Sequence, residues 1–169
     1  MWRLSHRADR AALPLADAHY NRQKPGTPQF VPPGRCVVLL AGDPAHSLWV
    51  TSWPLAEYTR HKWAGAWVNS CFRRTEGSDT ASDMITAGIA ATRAVYGDPP
   101  ALGMITFIDR QEVRPTMVRG VPVWGWTYLK AGFVVAGESQ SGLLCLQMLP
   151  ERMPEPVAAV GSQGRLFAP

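Results

Sequence analysis

Length, composition and charge narrow the class of protein. The chain has 169 residues, 46% of them apolar, and a net charge of +4. This length suits one domain whose core needs no disulfide or metal in order to fold. No apolar run reaches the roughly 18 residues of a membrane span, and no apolar stretch follows the basic N-terminus as in a signal peptide. We therefore expect a cytoplasmic protein with no membrane partner.

The three cysteines, Cys36, Cys71 and Cys145, lie far apart in apolar stretches. This placement predicts buried free thiols in a reducing compartment. Because no pair of cysteines or histidines has zinc-ligand spacing, no metal site is predicted. The excess of arginine and lysine is compatible with a polyanionic partner, but a solvated surface explains it equally well.

The first half of the chain predicts a helix, a long loop and three strands. Residues 8–20 have a helical apolar spacing, and residues 21–35 contain four prolines and no periodicity. Short apolar strands are predicted at 36–40 and 47–52, joined as a hairpin, and a third strand is predicted at 63–72.

The second half begins with the clearest helix. Apolar residues from Ala81 to Val95 recur every three or four positions, Thr80 and Asp83 form a capping pair, and Gly97 ends the helix. The elements that follow are a strand at 102–108, a basic loop at 110–122, a short helix at 124–131, strands at 133–137 and 142–149, and a tail at 151–169. The order strand, helix, strand predicts a parallel unit with a right-handed crossover, within one α/β domain over residues 1–150.

The turn from Phe72 to Thr80 joins the third strand to this helix. Free N–H groups at a helix N-terminus bind phosphate, two arginines add charge, and a glycine lets the backbone approach a ligand. The turn is also compatible with an ordinary capped connection. The residues predicted to bind a phosphate-bearing cofactor are Phe72, Arg73, Arg74, Gly77, Ser78, Thr80 and Ala81.

The segment from Tyr128 to Phe133 is compatible with a helix end closed by a cap glycine, with Tyr128 as a core aromatic. It also resembles the Leu-Tyr-x-x-x-Gly-Phe segment near the end of GNAT acyltransferases, and the similarity in element order covers residues 63–149. The resemblance implies a single GNAT-like α/β domain with a mixed central sheet and flanking helices. It further implies an acyl-CoA cofactor, acetyl-CoA first, and protonation of the departing thiolate by Tyr128. The turn at 73–80 departs from the family's Arg/Gln-x-x-Gly-x-Gly/Ala loop.

The segment His19-Tyr20-Asn21-Arg22 is compatible with a capping histidine beside a packed tyrosine, or with a histidine base. It is similar to the His-Tyr-Ser/Asn-Arg segment of phage Mom-type DNA-modification proteins, a divergent GNAT-like branch that alters the exocyclic amine of adenine in DNA. The strand ending at Asp109 resembles one of theirs, although an aspartate there also suits a turn. The residues predicted to be catalytic are His19, Tyr20, Asp109 and Tyr128.

The resemblance implies DNA as a partner, and two loops carry basic residues suited to it. Loops of this kind follow a phosphate backbone when they flank one cleft, and tryptophan stacks on an extruded base. Core packing is the alternative explanation for the tryptophans. The predicted nucleic-acid-binding residues are Arg22, Lys24, Arg35, Arg114, Arg119 and Trp124.

Three candidate functions follow. The first is an acyl-donor-dependent transferase that modifies an exocyclic amine of a DNA base, with His19 or Asp109 taking the amine proton. The second is a conventional acetyl-CoA-dependent N-acetyltransferase acting on a small amine or a protein. The third is a non-catalytic binding module that has kept the fold, because a fold does not imply a function.

Overall fold

The structure, a computed structural model, describes residues 1–75, 77 and 79–161 and contains one large sheet and three α-helices within them. The helices are α1 (Leu13–Asp17), α2 (Ala81–Tyr96) and α3 (Trp126–Lys130). Single 3₁₀ turns lie at Ala56–Tyr58 and Pro150–Arg152. The strands are β1 (Arg3–Ser5), β2 (Arg35–Ala41), β3 (Ser47–Trp53), β4 (Trp67–Arg74), β5 (Met104–Ile108), β6 (Thr116–Val118), β7 (Val121–Val123), β8 (Val134–Glu138) and β9 (Leu144–Met148).

The large sheet has seven strands in the order β1-β2-β3-β4-β5-β9-β8, and β6 and β7 form a separate two-stranded sheet. Neighbouring strands are antiparallel except β4 and β5, which are parallel and joined by α2. The predicted parallel strand–helix–strand unit and the predicted mixed α/β architecture are therefore confirmed, as is the β2–β3 hairpin.

Helix α2 covers one face of the sheet, as its apolar stripe predicts. Met84, Ile85 and Ile89 are buried in the main core cluster. The Thr80 hydroxyl accepts a hydrogen bond from the Asp83 backbone N–H at 3.2 Å, which is the predicted cap. Gly88 lies so close to β3 that an added Cβ would stand 2.8 Å from the ring of Trp49. The helix is thus held close to β3, which pairs with β4, the strand that leads into the β4–α2 turn.

The opposite face of the sheet is covered in two parts. Strand alternation sends Val38 and Leu40 to this face, where they pack with Leu15 of α1 and with Val31 of the proline-rich loop. Trp63 covers β5 and β9 on this face and packs with three other buried residues, Ala66, Ile105 and Cys145. The loop at 21–35 is therefore attached to the body of the protein through its second half.

The N-terminal third differs from its prediction in two ways. The helix predicted over 8–20 is reduced to the five residues of α1. It begins late because Asp9 accepts hydrogen bonds from the Ser5 hydroxyl at 2.6 Å and from the Ala11 N–H at 2.8 Å, which hold a turn before it. The edge strand β1 was not predicted, because three residues are too few for an alternation to be visible.

Two predictions in the C-terminal half are also wrong. The basic loop predicted at 110–122 contains the β6–β7 hairpin. The tail predicted from residue 151 packs on the body at least as far as Val160, whose N–H donates to the Trp2 carbonyl at 3.0 Å, while Met153 is buried in the core. Residues 162–169 of that tail lie outside the described residues.

Candidate functional site

Strands β4 and β5 separate soon after they begin to pair. Their parallel register covers Trp67 with Met104 and Val68 with Ile105, after which β4 continues to Arg74 and β5 to Ile108. The register of β4 on β3 also shifts between Val50 and Thr51, so that Ser70 is an extra residue on β4. We call the gap beyond Val68 and Ile105 the crevice. Open α/β sheets bind ligands at such positions, beyond the carboxyl ends of parallel strands.

A cavity of about 200 Å³ occupies the crevice, and we call it the smaller cavity. Its walls come from both strands, from the segment after α1, from the loop before β6 and from α3. Three of the four predicted catalytic residues, His19, Tyr20 and Tyr128, line it together with Thr106 and Phe107. Residues far apart in the sequence therefore share this space.

The segment from His19 to Asn21 spans the crevice. The Tyr20 hydroxyl donates to the Phe107 carbonyl of β5 at 3.3 Å. The Asn21 amide nitrogen donates to the Ser70 carbonyl of β4 at 2.8 Å. These two side chains satisfy backbone carbonyls that a continuous sheet would pair with a neighbouring strand.

His19 has a defined tautomer because of Asn21. Since the Asn21 amide nitrogen is directed at the Ser70 carbonyl, its amide oxygen faces His19 Nδ1 at 2.7 Å. That oxygen accepts only, so we assign the hydrogen to Nδ1 and the lone pair to Nε2, giving this short contact precedence over the 3.4 Å contact of the Asn21 backbone N–H with Nδ1. Burial lowers the pKa of His19 and the positive charge of Arg73 lowers it further, against the Asn21 hydrogen bond, which raises it. The imidazole is thus neutral at neutral pH, with a free basic nitrogen.

Tyr128 is anchored to β4 through Asn69. Its hydroxyl donates to Asn69 Oδ1 at 2.5 Å, and Asn69 Nδ2 donates to the Val50 carbonyl at 2.9 Å and to the Cys71 carbonyl at 3.2 Å. The ring packs edge-on against Phe72. Burial raises the pKa of Tyr128. The phenol therefore keeps its proton across the physiological range, and that proton is directed at Asn69 Oδ1.

Asp109, the fourth predicted catalytic residue, has a turn role in this structure. Its carboxylate accepts a hydrogen bond from the Gln111 N–H at 2.9 Å, and its carbonyl accepts one from Val113 at 2.9 Å. It also acts on Tyr20: burial raises the pKa of that phenol, a hydrogen bond with the Asp109 backbone lowers it, and the negative charge of Asp109 raises it. Of the two predicted bases, His19 is the one in the wall of the smaller cavity.

A larger cavity of about 620 Å³ lies on the α1 face of the sheet, under the proline-rich loop. Lys24 and Phe30 of the loop and Val50 of β3 line it. It shares two lining residues with the smaller cavity, Ser70 and Cys71 of β4. Burial raises the pKa of the Cys71 thiol to about 12, so this sulfur is protonated at neutral pH and is a poor nucleophile. The irregular stretch of β4 therefore borders both cavities.

The predicted phosphate-binding residues lie around the N-terminus of α2. Arg74 Nη2 donates to the Gly77 carbonyl at 2.5 Å. The Nε atoms of Arg73 and Arg74 are buried and have no hydrogen-bond partner among the described residues. The ring of His46 closes the other side of the turn, since a Cβ on Gly77 would lie 3.1 Å from it. Ala81 is the first residue of α2, and the predicted ligand residue Ser78 lies outside the described residues.

Three of the predicted nucleic-acid-binding residues are engaged by the protein itself. Arg22 forms an ion pair with Asp17 at 2.7 Å and also donates to the loop backbone. Arg35 lies over the ring of Trp53, with 4.4 Å from its guanidinium carbon to the ring centroid, where β2 begins. The Trp124 indole donates to the Val113 carbonyl at 2.9 Å and its ring packs on the core. These contacts account for the three side chains without a ligand.

The other three predicted residues remain accessible. Lys24 lines the larger cavity, Arg114 lines the smaller one, and Arg119 lies in the exposed turn between β6 and β7. Sequence reasoning missed Asn21 and Asn69 as site residues. A polar residue in the apolar run of β4 was the available signal for Asn69, and the position two residues after a histidine was the signal for Asn21.

Comparison of the chain with protein-family models, with curated proteins and with solved structures finds no significant match. Over the described residues, no helix is long and apolar enough to cross a membrane. The same part of the chain contains no cluster of three or more histidine, cysteine, aspartate or glutamate side chains suited to a metal ion. The function is therefore argued from the geometry of the crevice and its two cavities.

Proposed function

We propose that this protein is an acyl-donor-dependent transferase of the GNAT-like class, working in the cytoplasm, that acylates an exocyclic amine of a DNA base, adenine first. The observation that carries the proposal is that Ser70 and Cys71 line two cavities at the point where β4 and β5 separate. Group transfer requires a donor and an acceptor held on either side of one reacting centre. The order strand, helix, strand, short helix and two strands from Trp67 to Met148, with Tyr128 at the crevice, supports the class.

The smaller cavity and the β4–α2 turn fit a thioester donor that carries phosphates. The guanidinium groups of Arg73 and Arg74 provide positive charge beside the N-terminus of α2. That N-terminus provides backbone N–H groups other than the Asp83 N–H, which Thr80 caps. Arg73, Arg74, Gly77 and Thr80 would hold the phosphates of acyl-CoA. When bound, acyl-CoA supplies an electrophilic thioester carbonyl and a thiolate leaving group.

The proton transfers fall to His19 and Tyr128. An amine that attacks a thioester must lose a proton, and His19 Nε2 takes it, because Asn21 fixes the hydrogen on the other ring nitrogen. The departing sulfur must gain a proton, and we assign it to the Tyr128 hydroxyl, whose hydrogen then turns from Asn69 Oδ1 to the sulfur. One proton is accepted and one is donated, so solvent exchange between the two groups restores the resting state.

The larger cavity is suited to the acceptor. Its volume of about 620 Å³ accommodates a purine, Phe30 offers an aromatic face, and Lys24 offers a positive charge for a phosphate. An extruded base reaches such a pocket without the rest of the duplex entering it. This combination favours a nucleobase over a free small amine as the acceptor.

The direct test incubates the purified protein with an adenine-containing oligonucleotide and with acetyl-CoA or longer acyl-CoA thioesters. We expect the oligonucleotide to gain the mass of one acyl group in step with release of free thiol. Thiol release with transfer to a polyamine or a peptide, and none to DNA, would instead support the conventional N-acetyltransferase. If no thiol is released with any thioester, the donor assignment is wrong.

A further inference from the structure

A third cavity, of about 290 Å³, lies outside the proposed active site. Its lining comes from two parts of the chain, residues 60–63 and residues 138–140, where β8 ends and the β8–β9 turn begins. At about 30 Å³ for each water molecule, this space holds several waters or a group of the size of a phosphate. The proposed chemistry makes no use of the cavity, so the side chains around it have no role yet.

The lining of the third cavity has a surplus of positive charge. Among the described residues, Arg60 and Lys62 form no ion pair and no hydrogen bond through their side chains. Glu138 brings a negative charge to the lining, but Arg110 Nη2 contacts its Oε1 at 2.5 Å. Because this ion pair offsets the carboxylate, the charges of Arg60 and Lys62 remain available to an anion.

Two of the lining side chains are held in place by the protein. Lys62 Nζ lies 4.6 Å from the centroid of the Trp63 ring, and a Cβ on Gly137 would stand 3.0 Å from it. His61 Nδ1 accepts a hydrogen bond from the Trp63 N–H at 3.2 Å, so we assign the hydrogen of the neutral imidazole to Nε2. Donors that are already positioned lose little side-chain entropy when they bind a ligand.

The third cavity lies at the same edge of the sheet as the crevice. The strand registers align Ile108 of β5, Leu144 of β9 and Glu138 of β8 in one row. Phe107, which lines the smaller cavity, packs its ring against the His61 ring with 5.1 Å between the centroids. The third cavity is therefore a neighbour of the proposed active site and is separated from it by one aromatic side chain.

The spacing of the strands relates the third cavity to the larger one. Both lie on the α1 face, and three strand spacings, about 14 Å in all, separate β8 from β4, which lines the larger cavity. Each strand of a duplex rises about 3.4 Å per nucleotide. A DNA strand that crosses this face from the larger cavity therefore brings a phosphate to the third cavity about four nucleotides from the bound base.

We propose that the third cavity is a phosphate-binding site, in which Arg60, Lys62 and the His61 N–H hold one phosphodiester of the DNA strand about four nucleotides from the target base. The inference rests on the proposed function for the source of the phosphate, because a free phosphate offers the same chemistry. Phosphate contacts fix the register of a protein on DNA. The site thus anchors the strand and takes no part in proton transfer.

The first arm of the test uses inorganic phosphate alone, at constant ionic strength. The readout is the imidazole ¹⁵N signal of His61, which a His61→Gln variant identifies among the four histidines. We expect a saturable shift in the native protein and its loss in Arg60→Gln/Lys62→Gln. The matched control is Lys130→Gln/Arg152→Gln, which removes the same two charges from exposed residues outside this lining and should keep the shift. Circular dichroism verifies that each variant is folded.

The second arm uses a duplex of G·C pairs with one central A·T pair, without any acyl donor. A neutral methylphosphonate replaces one phosphate at a time along each strand. We expect native affinity to fall about 10-fold at one linkage near the fourth nucleotide from the adenine, because a charge-assisted contact is lost there.

In Arg60→Gln/Lys62→Gln the same linkage should become insensitive, because its partner is already gone. The slope of log affinity against log salt should fall by about one, as for one lost phosphate contact. Gln140→Glu, which adds a negative charge to the lining, should weaken binding of the unmodified duplex and leave the pKa of His19 unchanged.

An unmoved His61 signal with inorganic phosphate, or a shift that Arg60→Gln/Lys62→Gln retains, would overturn the site. A shift with inorganic phosphate but no linkage whose sensitivity depends on these residues would assign the site to a free phosphate and overturn the DNA contact. Neither arm uses an acyl donor, so the two proposals fail separately. Phosphate binding without acyl transfer leaves the site standing alone, and DNA acylation with an unmoved His61 signal leaves the proposed function standing alone.

Discussion

At the level of single residues, the chain of contacts from His19 through Asn21 to the Ser70 carbonyl decides what the site can do. An imidazole with hydrogen on the wrong nitrogen presents a donor where a base is needed. Asn21 prevents this, because its amide nitrogen is held at 2.8 Å from the Ser70 carbonyl and its oxygen faces His19 Nδ1. Asn21 acts through His19 and is therefore a positioning residue.

Replacement of Asn21 by aspartate should raise the pKa of His19. In the native protein burial lowers that pKa below its ordinary value of 6.5. A carboxylate at Nδ1 favours the charged imidazolium, so a higher pH is needed to free the base. We expect the acidic limb of the pH profile of kcat/KM to move to higher pH. Gln140→Glu, which adds the same charge on the β8–β9 turn, should leave the limb where it is, and an unmoved limb in Asn21→Asp would contradict His19 as the base.

Replacement of Tyr128 by phenylalanine should lower kcat by about 10²-fold or more, because the proton for the leaving group is lost. It should also cost about 1–3 kcal/mol of stability, since Asn69 Oδ1 loses its donor. Tyr96→Phe is the matched control, because that hydroxyl likewise donates one hydrogen bond, to the Thr51 carbonyl at 3.1 Å. Equal losses of kcat in the two variants would show that Tyr128 acts only through stability.

At the level of elements, the close packing of α2 on β3 sets the position of the β4–α2 turn. Gly88→Ala tests it: an added Cβ would stand 2.8 Å from the ring of Trp49, which is fully buried. Overpacking of this kind costs about 1–3 kcal/mol, which outweighs the gain of up to ~1 kcal/mol from helix propensity. We expect a lower thermal midpoint. Ala87→Ser, at the exposed neighbour, should change it little, and a more stable Gly88→Ala protein would contradict the packing.

The elements that could be predicted from the sequence are those with a local signal. Helix α2 has a cap, an apolar stripe and a stop glycine, and β2 and β3 are apolar runs around a turn. The β6–β7 hairpin escaped prediction because Pro115, Gly120 and Pro122 are typical of a loop. The packed segment before Val160 escaped it because its contacts with Trp2 and with α2 are distant in sequence.

The residues of the candidate site that could be predicted from the sequence are likewise those with a local signal. His19, Tyr20 and Tyr128 were predicted from short segments, and the structure brings them to one cavity. Asn69 was not predicted, because its importance comes from a contact 59 residues away. Residue type alone suggested nucleic-acid contacts at Arg22 and Trp124. In the structure Arg22 forms an ion pair with Asp17, and the Trp124 indole N–H donates to the Val113 carbonyl. Sequence alone does not reveal that a polar group already has an internal partner.

At the level of the whole molecule, the sheet lies between the two binding sites that we propose. The crevice and the N-terminus of α2 lie on the proposed donor side, and the cavity under the proline-rich loop lies on the proposed acceptor side. Ser70 and Cys71 of β4 line both cavities. Lys24, Arg114 and Arg119 are exposed around this arrangement and extend it toward a polyanion.

The most direct measurement is mass spectrometry of nucleosides from plasmid DNA isolated from cells that express the chain. The account predicts a deoxyadenosine of increased mass with the native protein and with His6→Ala, an exposed histidine control, and its loss in His19→Ala. Unmodified deoxyadenosine in DNA from cells that accumulate the folded native protein would contradict the account.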